Sequence, residues 1–187
     1  MSLISFEILR GKSFDLIPLD MSRLDEMWEY SRDERLYEHF EFGVHESIEQ
    51  TKEYLTGLIA RTMDDKSRRW FIELSDNRKV IGSFSLHDID TRRDSCEISY
   101  AVSPQYWGTG IFSEVLHLVM DHLFNELKFH RLVATTSLNN YRSIGALKKN
   151  GFVVEGKLRD FYKDKSGLRI DALVLSILRD DFQNETA

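Results

Sequence analysis

Residues 96–127 read CEISYAVSPQYWGTGIFSEVLHLVMDHLFNEL, and their periodicity decides the fold. The first seven alternate, so Glu97, Ser99 and Ala101 fall on one face of a strand and Ile98, Tyr100 and Val102 on the other. Pro104 stops that strand because it has no N–H for the ladder. A turn with Gly108 and Gly110 follows, and apolar residues then return at helical spacing: Phe112, Val115, Leu116, Val119, Met120, Leu123 and Leu127. Strand, glycine turn and amphipathic helix thus follow one another without a break. At such a junction successive backbone N–H groups are unpaired, and the helix dipole adds roughly half a positive charge. The glycines let the backbone approach a ligand with no Cβ in the way, an arrangement suited to a pyrophosphate. The turn is not a dinucleotide fingerprint, since the third glycine is absent, nor a P-loop, since no Gly-Lys-Ser/Thr follows.

Upstream, strands are expected at Arg69 to Leu74, Val80 to His87 and Cys96 to Val102, with polar turns between them, which predicts an antiparallel meander. Before it, Ser47 with Gln50 three residues on forms a capping box for a helix carrying Ile48, Leu55, Leu58 and Ile59 on one face. A short helix is expected from Arg23 to Arg32, a strand through Phe14, Leu16 and Pro18, and an extra strand over Leu3 to Leu9. Downstream, Arg131 to Ser137 reads as a strand. A helix from Asn140 to Asn150 closes at Gly151, and strands at Phe152 to Tyr162 and Ile170 to Leu178 flank a turn at Gly167. The order predicts an α/β protein of the α+β kind with a mixed sheet, rather than a doubly wound one.

The 187 residues, 42% of them hydrophobic, suffice for one core, and a single domain over 1–187 is expected. Thirty-one acidic against twenty-five basic residues give a net charge of −6, and the basic residues form no stripe, which disfavours nucleic acid as a partner. The lone Cys96 makes neither an intramolecular disulfide nor a zinc site. Glu7 and Arg10 interrupt any signal-peptide core, and Leu173 to Leu178 is too short to span a bilayer. A cytoplasmic protein without a membrane partner is the expectation. His39, His45, His87, His117, His122 and His130 show no ligand spacing with carboxylates or cysteine, so no metal is expected.

The glycine turn has a second witness in Asn140-Tyr141-Arg142-Ser143, which continues to Gly151-Phe152. Together these resemble the GNAT superfamily of acyl-CoA-dependent N-acetyltransferases. Gln105-x-x-Gly108-x-Gly110 matches its Q/R-x-x-G-x-G/A loop, and Asn140-x-x-Ser143 ending at Gly151-Phe152 matches its N-x-x-S/A helix. Glu97-Ile98-Ser99-Tyr100, His130-Arg131-Leu132 and the run from Glu155 to Arg159 bring the chain nearest the branch that contains the ribosomal-protein N-terminal acetyltransferases.

The resemblance implies a GNAT fold, in which a mixed, mostly antiparallel central sheet is flanked by helices and acyl-CoA binds where two strands splay. It implies acetyl-CoA as co-substrate, no metal, and direct attack by a primary amine, foremost a protein N-terminal α-amine. A small amine such as a polyamine, aminoglycoside or amino sugar is the alternative acceptor, and a non-catalytic acyl-CoA sensor is the alternative from another class. Relatives are monomers or homodimers. The backbone of Gln105, Tyr106, Trp107, Gly108, Thr109 and Gly110 would wrap the pyrophosphate, with donors from Ile111 and Phe112; Val102 would pair with the pantetheine arm. Asn140 would touch that arm, though Asn is also a favoured N-cap. Ser143 would lie near the thioester sulfur, although a helical Ser is often only back-bonded. Glu97 would take a proton from the substrate ammonium, against the plainer reading of a solvated strand face. Some base is needed, because only the neutral amine attacks a thioester. One departure stands out: many relatives carry a tyrosine in the second turn of the last helix to protonate the leaving thiolate, and here that position is Leu147.

Overall fold

The computed structural model describes residues 8–62 and 66–186. Among them eight strands form one sheet in the order β1-β2-β3-β4-β5-β6-β8-β7. The strands are β1 (Leu9–Arg10), β2 (Phe14–Pro18), β3 (Arg68–Leu74), β4 (Val80–Asp90), β5 (Ser95–Val102), β6 (Arg131–Ser137), β7 (Val153–Lys163) and β8 (Arg169–Leu178). The helices are α1 (Leu24–Ser31), α2 (Ile48–Arg61), α3 (Ile111–Asp121), α4 (Tyr141–Lys149) and α5 (Arg179–Thr186). The expected meander is present, with β2 to β5 pairing antiparallel in sequence order. Of the expected strand over Leu3 to Leu9, residues 3–7 lie outside the described residues, and Leu9 begins β1.

Local chemistry explains the boundaries. Ser47 Oγ accepts the Gln50 N–H at 3.2 Å, and Gln50 Oε1 accepts the Glu46 N–H at 2.7 Å, so the capping box closes one residue earlier than its simplest form. The α3 helix is preceded by its N-cap Gly110, whose φ of +91° is the left-handed region that favours glycine. Past Asp121 the chain makes a π-helical turn, His122–Glu126, which keeps Leu123 and Phe124 fully buried. The apolar spacing read through Leu123 and Leu127 does not distinguish that turn from α-helix, and no period marks α5 beyond the last strand.

The two faces of the sheet are covered differently. Ile98, Leu132, Leu175 and Ile177 pack with Val115, Leu116, Val119 and Met120 of α3, while Phe71 and Val80 pack with Met27 and Tyr30 of α1 and Leu55 and Leu58 of α2. Each such fully buried side chain contributes roughly 1.5–3 kcal/mol. The second layer is pinned by a buried charge, Glu73, held by Arg23 at the start of α1 and by Arg78 at 2.7 Å. Such a charge is tolerated inside because it is paired. Cys96 packs in the first layer, where burial pushes its thiol up to about 12, a structural rather than a reactive setting.

The feature that positions chemistry is the join between β5 and β6. These strands are parallel and pair only at Ser95–Arg131, Cys96–Leu132 and Glu97–Val133. Beyond Glu97, β5 runs on to Val102 beside β4, while β6 stays with β8 up to Ser137. The two strands therefore splay apart from Glu97 onward.

Candidate active site

A cavity of about 440 Å³ opens at the splay. Its walls are Tyr100, Ala101 and Val102 of β5; the turn from Tyr106 to Gly110; Phe112 and Ser113 of α3; and Asn140, Arg142, Ser143, Ala146 and Lys149 at α4. Arg35, Leu36, His39 and Phe40, from the segment between α1 and α2, close one side. Of the residues singled out in the sequence, Val102, Tyr106, Trp107, Gly108, Thr109, Gly110, Phe112, Asn140 and Ser143 line this cavity. Gln105 instead lines a separate recess of about 20 Å³, and the Ile111 side chain is buried in the core. Glu97 is not a wall residue of the cavity; it sits at the vertex where β5 and β6 part.

The glycine turn fits an anionic ligand. Gly108 and Gly110 have φ of +77° and +91°, and a Cβ at either would meet no protein atom within 4 Å, so both face open space. The N-cap Gly110 has no side chain to cap α3, only Thr109 Oγ1 accepts a first-turn N–H, that of Ile111 at 3.5 Å, and the first intrahelical bond is from Glu114 N–H to Gly110 O. The other first-turn N–H groups are thus presented at the end of the helix, next to the cavity. Trp107 donates its Nε1–H to Val102 O at 2.8 Å, and the Arg142 guanidinium lies 3.5 Å over its ring, which accounts for a large aromatic residue in an open turn.

The strand edge is equally directed. Ser103 donates its N–H to Ile81 O at 2.7 Å. Antiparallel pairs alternate between bonded and non-bonded positions, so Tyr100 and Val102, opposite Phe84 and Gly82, turn their backbone groups away from β4. Those groups face the gap left by β6. Gly82 lies so close to β5 that a Cβ there would be 2.2 Å from Ala101 O, so this wall admits only glycine.

At α4, Asn140 Oδ1 accepts the Ser143 N–H at 3.1 Å, so Asn140 is an N-cap and a cavity wall at once. Leu147, at the family's tyrosine position, is fully buried. The sequence reading missed another phenol: Tyr100 places its hydroxyl 2.7 Å from Ser143 Oγ, with its ring between Phe84 and Phe112. Burial pushes this phenol up to about 12, so it stays protonated at neutral pH, and the Ser143 bond only partly offsets the shift. A signal was present, since alternation puts Tyr100 on the inward face and a buried phenol needs a partner.

Glu97 occupies the other face of the sheet. His87 is directly opposite it on β4, and a bulge with Asp88 at φ +49° brings that carboxylate beside the imidazole, 3.2 Å from Nδ1. His87, Asp88 and Glu97 each offer a ligand atom within 4.8 Å of the others. The sequence shows no metal-ligand spacing for its histidines, and the fold adds proximity that spacing does not carry, here and again where His122 Nδ1 meets Glu126 at 2.7 Å across the π turn. The one-histidine, two-carboxylate set has the donor chemistry for a divalent cation. Cross-strand register and the bulge bring the three together, and neither is visible as sequence spacing.

Tyr162 of β7 completes this side, donating to Thr135 O at 3.2 Å, and Glu41 accepts the neighbouring Lys163 N–H at 2.9 Å. The Tyr162 phenol is raised to about 12, first by burial and then by the charges of Glu97 and Glu41. The charges of two carboxylates are thus both felt at one phenol.

Residues 14–153 match the acetyltransferase (GNAT) domain family. The uncharacterized N-acetyltransferase YoaA of Bacillus subtilis is 33% identical over 72% of this chain and 75% of its own length. The spermidine N(1)-acetyltransferase of Escherichia coli K12 is 31% identical over 56% of this chain and 55% of its own. The crystal structure of a GCN5-related N-acetyltransferase from Brucella melitensis superposes with a TM-score of 0.87 at 21% identity, covering 97% of this chain and 83% of that one. Among the described residues, no helix is long and apolar enough to cross a membrane. With a splayed β5–β6 pair, a glycine turn opening α3 and a capped Asn140–Ser143 turn in the matched span, the chain belongs to the GNAT family of acetyl-CoA-dependent N-acetyltransferases.

Proposed function

We propose that this enzyme acetylates a protein N-terminal α-amine, with Glu97 as the group that takes the ammonium proton. The observation that carries the reading is the position of Glu97 at the last paired residue before the strands part. The backbone of the 106–110 turn and the first turn of α3 would hold the pyrophosphate, and the edge of β5 would receive the pantetheine amides. Val102 N–H, turned into the gap, is the donor for the carbonyl oxygen as it gains charge. Ser143 faces the sulfur. An α-amine with pKa near 7.7–8.0 is roughly a tenth neutral at pH 7, so it asks less of Glu97 than a lysine amine near 10.4 would.

The test is release of free thiol from acetyl-CoA with pooled acceptors: peptides beginning in Ser or Ala, polyamines, aminoglycosides and amino sugars. Release with the peptide pool is expected. Release confined to another pool would overturn the N-terminal acceptor, and acetyl-CoA binding without release from any pool would favour the sensor.

One observation favours a second reading, a small polycationic amine: Glu41 stands near Tyr162, whose phenol also feels the charge of Glu97, with the exposed Phe42 next to Glu41 in sequence. If that reading holds, Glu41→Gln raises KM for a di- or polyamine about three- to fivefold, the value of an exposed ion pair. The same substitution leaves KM for a neutral peptide unchanged; equal effects on both acceptors would remove Glu41 from amine recognition.

A further inference from the structure

We infer that Tyr100, on β5, supplies the hydroxyl support for the leaving thiolate that the family's α4 tyrosine cannot give in this chain, acting through Ser143. The inference rests on the acetyl-transfer reading above. The two hydroxyls are 2.7 Å apart, both residues line the cavity, and each is fixed independently of the other. Phe84 and Phe112 hold the Tyr100 ring, with centroids at 6.2 and 4.2 Å. Asn140 holds the backbone of Ser143 through the cap at 3.1 Å.

Direction follows from acidity. A phenol is a stronger hydrogen-bond donor than an aliphatic hydroxyl, and the two oxygens are 2.7 Å apart, so Tyr100 donates to Ser143 Oγ and remains a phenol. The serine proton is then free of that bond and points into the cavity. Glu97 first takes the ammonium proton and passes it to solvent; as the neutral amine then attacks, a C–N bond forms, the C–S bond breaks, the sulfur leaves with the bonding pair as a thiolate, and the nitrogen gives its second proton to Glu97. Ser143 meets the sulfur with a hydrogen bond, and solvent later protonates it. No net proton crosses from Tyr100. The phenol orients Ser143 and, by donating to it, makes its hydroxyl a stronger donor. Tyr100 is therefore a positioning residue.

Tyr100→Phe keeps the ring that packs between Phe84 and Phe112, so the melting temperature should hold. It is expected to lower kcat with acetyl-CoA about tenfold, the worth of one well-placed hydrogen bond, without weakening acetyl-CoA binding. Ser143→Ala should cost a similar factor, and adding Tyr100→Phe to it should cost nothing more, because the phenol acts only through that serine. A merely structural role would respond equally to any donor. With an acetyl thioester of a nitro-substituted aromatic thiol, whose thiolate needs no support, the loss in kcat/KM should shrink to near one. Undiminished loss with that donor, additive losses in the double variant, or an unchanged Tyr100→Phe would each overturn the inference. Silence of the wild-type protein with every amine would overturn the transfer reading and this inference together, whereas wild-type turnover with an unaffected Tyr100→Phe would overturn this inference alone.

Discussion

Gly110→Val is expected to weaken acetyl-CoA binding by at least about a hundredfold while the protein still folds. Two effects add. A β-branched residue at φ +91° carries roughly 1–2 kcal/mol of backbone strain, which the chain relieves by unwinding the first turn of α3. That unwinding disperses the N–H groups gathered there, and each charge-assisted bond lost to a phosphate costs about 1.5–3 kcal/mol. The new side chain also enters the open space in front of the turn, where no protein atom stands within 4 Å. Titration calorimetry with acetyl-CoA, paired with a thermal melt, separates lost binding from lost fold. Affinity equal to wild type would mean that the turn is only a helix entry.

Glu97→Gln should lower kcat/KM by about 10²- to 10⁴-fold, the usual contribution of a positioned general base. The sign of its pH dependence is fixed by the acceptor. An α-amine near pKa 7.8 is about one-twentieth neutral at pH 6.5 and mostly neutral at pH 9. The wild-type advantage should therefore be greatest below pH 7 and shrink as pH rises past 8. A pH–rate profile that the substitution leaves unaltered would take Glu97 out of proton transfer.

Much of the scaffold was legible because it is written in local periods. The change from alternation to helical spacing across 96–127 set β5, the turn and α3, and the Ser47–Gln50 pair marked the start of α2. Arg131–Ser137 is a strand over the very residues read as one. What escaped depends on contacts between distant segments. Sequence alternation put Glu97 and Tyr100 on opposite faces, but the cross-strand partner His87 and the Tyr100–Ser143 bond, 43 residues apart in sequence, need the register of the folded sheet. The segment carrying Arg35, Leu36, His39 and Phe40 has no period at all, and it became a cavity wall only by packing above β5. The π turn at His122–Glu126 shifts the helix phase by a single residue, a change that apolar spacing does not register.

The β5–β6 join has a mechanical side. Within the sheet, three residue pairs connect a five-strand half, β1 to β5, with a three-strand half made of β6, β8 and β7. Apart from the two-pair attachment of the edge strand β1, that seam is the narrowest connection in the ladder, and it lies beside the chemistry. A ligand that bonds to the edge of one half and packs on a helix carried by the other acts as a clasp, and occupancy becomes coupled to cohesion. At a hundred times its Kd such a ligand adds about 2.7 kcal/mol to stability. Resistance to heat would then rise and fall with the acetyl-CoA supply.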